Sequence, residues 1–150
     1  MTITKTYLYS SIYKLFYNTL FDNLTNPHGG TTKYIYPSFP LDKVENQSAY
    51  PLLVINSPDI KEEEFTFQDT EYQGEIRLTY FDTSVKDTDS YKEKILNCIE
   101  DRTKTAFEAN GIEFLKMEAS PTTNFDHGAV RGHKFDIDFS FKVYLKRINT

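Results

Sequence analysis

The sequence has no tryptophan, only one cysteine and no long apolar run, and each absence excludes a class of protein. The single Cys98 cannot form a disulfide within the chain, so folding does not depend on an oxidising compartment. No run approaches the roughly 18 apolar residues of a membrane helix, and the first residues lack the apolar segment of a signal peptide. We therefore expect a soluble protein made in a cytoplasm, with no membrane partner.

Basic residues are also fewer than acidic residues. The 150 residues carry 17 Lys and Arg against 22 Asp and Glu, a net charge of −5. A protein that coats nucleic acid needs a basic surface, so this balance argues against general nucleic-acid binding. It is compatible with a surface along which nucleic acid passes without being held. With 12 Phe and 11 Tyr the chain is too aromatic for a disordered protein, and its length is typical of one domain.

Catalytic signatures are missing as well. Gly29-Gly30 is not followed by the spacing or the lysine of a phosphate-binding loop, and no serine lies in a nucleophile-elbow pattern. Cys98 falls within a predicted helix, where a small core residue is the simplest interpretation. The sequence therefore predicts no catalytic residue, no cofactor and no metal.

One combination keeps a small metal-dependent enzyme as an alternative. His127 and His133 lie close in sequence with Asp126 beside the first, and imidazole and carboxylate groups suit zinc or iron. The spacing of six residues between the two histidines matches no metal-ligand motif. The trio is therefore retained only as an alternative metal site.

The most regular pattern is the last one, from His133 to Ile148. From Lys134 to Lys146 polar and apolar residues alternate strictly, which predicts a strand with one buried and one solvated face. A straight strand of this length would reach roughly 50 Å, whereas a compact domain of this size is roughly 40 Å across. The strand must bend or extend beyond its own domain, and an extended strand needs a partner. This favours an assembly subunit over an enzyme.

Two helices are predicted upstream. In the first, Thr4–Leu24, one face is apolar and the other carries Tyr9, Tyr13, Tyr17 and Phe21, which are either buried or in contact with another subunit. The second, Asp87–Asn110, has a capping-box pattern at Ser90, a one-sided apolar stripe and Gly111 as the residue that ends it. Such a helix packs on a sheet.

The segments between and after the helices predict strands. The expected strands are Thr31–Tyr36, Leu52–Asn56, Glu75–Phe81 and Ile112–Ala119, with Pro37–Tyr50 as a surface loop, Lys61–Glu64 as a solvated turn and Gly74 as a further turn. The last two strands form a hairpin whose tip, Ser120–Gly132, is about 13 irregular residues long, and loops of that length are often functional. Arg131 and Lys134 with the two histidines make the tip mildly positive, through local charge balance or for contact with nucleic acid or an acidic partner.

These elements predict an α+β fold in a single domain, residues 1–150: a mixed, mostly antiparallel sheet packed by two main helices, with a long C-terminal β-hairpin. In length and element order the chain resembles the tail terminator (tail completion, or head–tail joining) proteins of long-tailed bacteriophages. The resemblance rests on the first helix, the Leu52–Asn56 and Glu75–Phe81 strands, the capped second helix with Gly111, and the alternating Phe135–Leu145 strand. It covers nearly the whole chain but includes no short diagnostic motif.

The resemblance implies a structural virion protein, assembled in the host cytoplasm, whose subunits close into a ring, often a hexamer. Such a ring caps the tail tube, stops its growth and joins it to the head connector or stopper protein, while DNA passes through the centre without specific binding. A neighbouring connector or tail-tube subunit is the closest alternative. The expected interaction residues are Tyr9, Tyr13 and Tyr17 on one side, and Asn124, His127, Arg131 and His133 on the other.

Overall fold

The computed structural model describes residues 3, 7–41, 47–65, 69–128 and 130–146. Their architecture is α+β, with two main helices on one face of a mostly antiparallel seven-stranded sheet, as the sequence predicts. The elements are α1 (Leu8–Asn23), β1 (Ile35–Tyr36), β2 (Leu52–Ile55), β3 (Asp59–Phe65), β4 (Asp69–Asp82), α2 (Val85–Asp101), β5 (Ile112–Ala119), β6 (Thr123–His127) and β7 (Val130–Lys146).

The sheet has the strand order β1-β2-β4-β7-β5, with β3 pairing beside β4 and β6 beside β7. Among the described strands, only β1 and β2 run parallel. Strand β7 is the long alternating strand that the sequence predicts, and its apolar residues from Phe135 to Leu145 are buried. It pairs with β4 from His133 to Lys146 and with β5 and β6 on its other side. Because β7 has partners within its own chain throughout, its length does not require a second subunit.

Helix α1 packs across the inner face of the sheet through Ile12, Phe16 and Leu20, which are fully buried. The ring centroid of Phe16 lies 4.9 Å from that of Phe107 and 5.4 Å from that of Phe139. These aromatic contacts tie α1 both to β7 and to the segment that follows α2. The start predicted at Thr4 lies outside the described residues, since the helix is described from Leu8.

Helix α2 begins and ends differently from the prediction. It starts at Val85, and its N-cap is Ser84, whose Oγ accepts a hydrogen bond from the backbone N–H of Asp87. The predicted cap Ser90 therefore lies within the helix, because an earlier serine with an acidic residue three positions on competes successfully for this role. After Asp101 the chain changes to a π-helical turn (Thr103–Phe107) and a 3-10 turn (Glu108–Asn110) before Gly111, whose φ is 84°. Within this segment Phe107 is fully buried in the core, and Ala106 is partly buried against it.

The turns predicted at Lys61–Glu64 and at Gly74 are both wrong, because both segments lie inside strands. Residues 61–64 belong to β3, where Lys61 and Glu62 are exposed. Among the strands that the structure describes, β3 pairs only with β4. Charged residues are common on such outer strands because they deter pairing with other chains. Gly74 lies in the middle of β4, opposite Phe141 of β7. The predicted strand Thr31–Tyr36 is reduced to Ile35–Tyr36.

The irregular tip predicted at Ser120–Gly132 is also wrong for most of its length. Strand β6 pairs with the start of β7 from Thr123 to His127, so the hairpin continues as a two-stranded ribbon. Ser120 joins the ribbon to β5, since its N–H donates to the carbonyl of Asp136 and its Oγ accepts from the N–H of Asp136. The chain reverses at Gly128, whose φ of 58° favours glycine.

A second apolar cluster covers part of the outer face of the sheet, opposite the helices. Its buried members are Tyr50, Leu52, Val54 and Val130, packed by Tyr36, Phe39, Ala49, Phe81 and Phe125. The described parts of the predicted surface loop Pro37–Tyr50 supply several of these residues. The rest of the outer face is polar. The side of the sheet away from the helices therefore has one apolar area and one polar area.

Candidate interaction surfaces

The most prominent exposed apolar surface is on α1, and we call Tyr9, Tyr13, Tyr17 and Phe21 the aromatic stripe. A spacing of four residues places all of them on one side of the helix. Tyr9 and Phe21 are 50% and 56% exposed, while Tyr13 and Tyr17 are half-buried against the core. The ring centroids of Tyr17 and Phe21 lie 5.7 Å apart with planes at 9°. Burial, the first of the two alternatives from the sequence, therefore holds for part of the stripe, and contact with another subunit stays a prediction.

Next to the stripe lies a groove, which we call the α1 groove. It encloses about 420 Å³ and is lined by Tyr9, Ser10, Tyr13, Lys14, Pro37, Ser57 and Pro58. Tyr9 is held in place because its hydroxyl donates to the carbonyl of Ile60 at 3.2 Å. Burial, with a smaller contribution from Tyr17, raises the pKa of Tyr13, so its hydroxyl stays neutral. The groove is mostly apolar, with one cationic side chain at its border.

The sheet edge formed by β5 carries apolar side chains that sequence reasoning missed. Leu115 is 44% exposed and Met117 is 38% exposed. The register between β5 and β7 shifts between Phe114 and Lys116, so Leu115 is the extra residue of a β-bulge. Bulges re-aim side chains, which explains why this leucine faces solvent. The adjacent apolar pair Phe114-Leu115, which breaks the alternation, was the available sequence signal.

The interaction residues predicted at the tip divide between the two faces of the ribbon. In an antiparallel pair, directly opposed residues share a face, and alternate residues lie on opposite faces. Asn124 opposes His133 and Asp126 opposes Arg131, so all four lie on one face, where Asn124 and Arg131 are exposed. His127 lies on the other face, with its ring 5.3 Å from that of Phe39.

The alternative metal site is therefore not assembled. Asp126 and His133 share a face of the ribbon, but His127 points to the opposite side. Asp126 is instead 4.0 Å from the guanidinium of Arg131. Among the described residues, no group of three or more His, Cys, Asp or Glu side chains could hold a metal ion.

The polar part of the outer sheet face forms a shallow charged groove of about 340 Å³. At its centre Arg77 donates to both carboxylate oxygens of Asp138, from Nε at 2.7 Å and from Nη2 at 3.1 Å. Lys116 and Glu118 form a second ion pair at 3.0 Å. These pairs are largely exposed and therefore stabilise the fold by less than about 1 kcal/mol each. They interleave both charge signs, although the residues that line the groove include more carboxylates than cations.

The only cysteine shows no sign of reactivity. Cys98 is buried in α2, and burial raises the pKa of its thiol despite the neighbouring Arg102. A thiol of raised pKa holds little thiolate, which is the nucleophilic form. Cys98 acts as a core residue here, in line with its interpretation from the sequence.

Comparison with known proteins adds no identification. No protein family matches the sequence, and no curated protein is significantly similar to it. Within the part of the chain that the structure describes, no helix is both long and apolar enough to cross a membrane.

Proposed function

We propose that this chain is a structural subunit of a phage tail terminator, forming a homo-oligomeric ring at the head-proximal end of the tail tube. The observation that carries the proposal is the aromatic stripe with its groove. The hydrophobic core lies beneath the stripe, yet Tyr9 and Phe21 remain half-exposed at its two ends, and Tyr9 lines the apolar groove. Aromatic side chains are enriched at protein–protein interfaces, and contiguous exposed apolar surface is typical of binding sites.

The architecture supports the same proposal. The order of helix, strands, helix and long final hairpin is the one on which the resemblance to tail terminators rests. Phosphate contacts need clustered positive charge. The net charge of −5 and the mixed-sign outer face suit a ring through which DNA passes without being retained. In this proposal the partners are other copies of the chain, the tail tube protein and the head connector or stopper.

The alternatives have less support. The metal-dependent enzyme relied on His127 and His133, which lie on opposite faces of the ribbon. A neighbouring connector or tail-tube subunit would use similar surfaces, and assembly behaviour separates the three. A tube subunit forms long tubes by itself, whereas a terminator forms single rings or binds only to tube ends.

The experiment that tests the proposal measures the mass of the purified protein across concentration by light scattering, with negative-stain images of the same samples. Rings of about six subunits, or caps on the ends of added tail tubes, are expected. Replacing Tyr9 or Phe21 with serine should reduce assembly without unfolding the chain, because both side chains are half-exposed. Val85→Ser is the matched control, since Val85 is 47% exposed on α2, away from the stripe. A strictly monomeric protein that binds no tube end would contradict the proposal.

A further inference from the structure

We infer that two copies of this chain pair through α1, so that the aromatic stripe of each copy is covered by the same helix of the other. The two helices run antiparallel and are related by a two-fold axis near Asn18. The contact goes beyond the proposed function and does not rest on it. A two-fold contact closes with two copies, whereas a ring is built from contacts with two different sides. In a subunit outside a ring, this dimer keeps the stripe away from water.

A row of polar residues follows the stripe along α1, and we call Ser10, Lys14, Asn18 and Asp22 the polar row. Each member comes one position after a member of the stripe, so the same four-residue spacing aligns both rows. Lys14 and Asp22 are the only charged residues of α1, and each lies four residues from Asn18. All four side chains of the row are exposed. The row therefore carries opposite charges on the two sides of a neutral centre.

These two charges lack an ion-pair partner within the part of the chain that the structure describes. Neither Lys14 nor Asp22 forms an ion pair there. They cannot pair with each other, because eight residues of helix separate them by about 12 Å. Asp22 also lies in the last turn of α1, where the helix dipole disfavours an acidic side chain. The stability of the helix therefore does not explain why an aspartate occupies this position.

Charge complementarity identifies a second copy as the occupant of the stripe. When two antiparallel copies of the polar row are centred on Asn18, Lys14 of one copy lies opposite Asp22 of the other. The two-fold axis repeats this pair at the other end of the contact. Each of the four charges thus has a partner of opposite sign, and the dipoles of the two helices are also antiparallel.

The same arrangement brings the aromatic side chains of the two copies together. Tyr17 precedes the axis by one position and Phe21 follows it by three, so both lie in the centre of the contact. Phe21 is 56% exposed, and its ring is already stacked on that of Tyr17. Rings that are ordered in advance lose little freedom on association. Burial of the aromatic surface drives the contact, and the ion pairs select the antiparallel orientation.

The test is a charge exchange on the full chain, with the mass followed by sedimentation equilibrium. At about 1 mM subunit, a contact with a Kd near 1 mM is substantially formed, so we expect wild-type dimers. Lys14→Asp sets carboxylate against carboxylate, and Asp22→Lys sets ammonium against ammonium. Each variant should therefore dimerise at least tenfold more weakly. An equimolar mixture of the two variants should form a heterodimer, because both of its pairs again join opposite charges.

A charge reversal outside the contact is the matched control. Lys86 is exposed on α2 and forms no ion pair with a described residue, so Lys86→Asp should leave dimerisation unchanged. The inference is overturned by a wild-type chain that is monomeric at about 1 mM, where a Kd near 1 mM would be detected. It is also overturned if Lys14→Asp acts no more strongly than Lys86→Asp, or if the mixed variants stay monomeric.

A thiol near the two-fold axis provides a second readout. Asn18→Cys brings one new thiol of each copy to the axis, whereas Cys98 is buried. A short bismaleimide should therefore crosslink this single variant into dimers. Val85→Cys, at a position 47% exposed on α2, should give only the background from random collisions. Equal crosslinking of the two variants would show that α1 does not face α1 and would overturn the inference.

The outcomes also separate the inference from the proposed function. Dimers that follow the charge exchange but never yield rings or caps on tube ends refute only the terminator proposal. Rings or caps from a chain whose association ignores the charge exchange refute only the inference.

Discussion

The ring of Phe141 lies directly against the backbone of Gly74. A Cβ added at Gly74 would be 2.7 Å from Cε2 and 2.8 Å from Cζ of Phe141. The two residues oppose each other across β4 and β7, and Phe141 is fully buried, so its ring cannot move aside freely. Close packing within a strand therefore explains why glycine occupies position 74. The chain does not turn there.

Gly74→Ala should therefore destabilise the fold. Overpacking of this kind costs about 1–3 kcal/mol, which urea denaturation would measure as a lower unfolding free energy. Gln73→Ala, at the exposed neighbouring position, should change it by less than about 0.5 kcal/mol. Combining Gly74→Ala with Phe141→Leu should cost less than the sum of the two single changes, because the smaller side chain relieves the clash. Full additivity would show that the two residues do not conflict.

The two serines near the start of α2 should differ in their contribution to stability. Ser84→Ala removes the N-cap hydrogen bond to Asp87 and should lower the unfolding free energy by about 0.5–1 kcal/mol. Ser90→Ala replaces an exposed residue inside the helix, where alanine has the better helix propensity, and should be neutral or slightly stabilising. Thermal unfolding followed by circular dichroism would compare them. Equal effects would argue against Ser84 as the cap.

Alkaline pH should weaken the fold through Tyr80 and Tyr91. Burial raises the pKa of both phenols above the usual 10, and the Asp82 carboxylate raises that of Tyr80 further. The folded chain keeps protons that the unfolded chain releases above about pH 10. Stability is therefore retained below that pH and falls above it, by about 1.4 kcal/mol per pH unit for each tyrosine.

This pH dependence is measured by determining the unfolding free energy in urea at several pH values between about pH 8 and pH 11. The slope is the change in that free energy per pH unit. Tyr80→Phe should reduce the slope above about pH 10 by about 1.4 kcal/mol per pH unit, which is the contribution of one phenol. Phe21→Leu, an exposed change without a titrating group, should leave it unaltered. An unchanged slope in Tyr80→Phe would mean that the pKa of this phenol is the same in the folded and the unfolded chain.

Metal should have no effect on the stability of the fold. The three residues of the alternative site lie on two faces of the β6–β7 ribbon, and His127 packs against Phe39. We expect the melting temperature to be the same in a chelator, in zinc and in neither. Stoichiometric zinc or iron in the purified protein, or a lower melting temperature in chelator, would contradict this expectation.

The periodicity of apolar residues correctly predicted the helices and strands that bury one face in the core. The alternation in β7 and the 3–4 spacing in α1 both reflect burial on one side, which a single sequence displays directly. The end of the segment after α2 was also predictable, because the left-handed conformation of Gly111 is one that glycine adopts without strain. The aromatic stripe could be identified from the sequence for the same reason.

Tertiary context decided the features that the sequence did not reveal. The charges of Lys61–Glu64 predict a turn, but this segment pairs with β4 except at a shift of register between Glu62 and Glu64. The sequence of the tip predicts an irregular loop, yet β7 extends far enough to pair with it. The separation of His127 from His133 depends on strand register, and the exposure of Leu115 depends on a bulge. Neither is visible until the partner strands are known.

The position of β7 in the sheet determines when the fold can form. Strands β4 and β5 do not pair with each other; each pairs with β7, which follows every other described element along the chain. During synthesis on the ribosome, the inner faces of β4 and β5 and the apolar stripe of α2 would emerge before the strand that joins them. Contacts between residues so distant in sequence also make folding slow. The nascent chain is therefore most exposed to aggregation and to chaperone binding just before its last described strand is made.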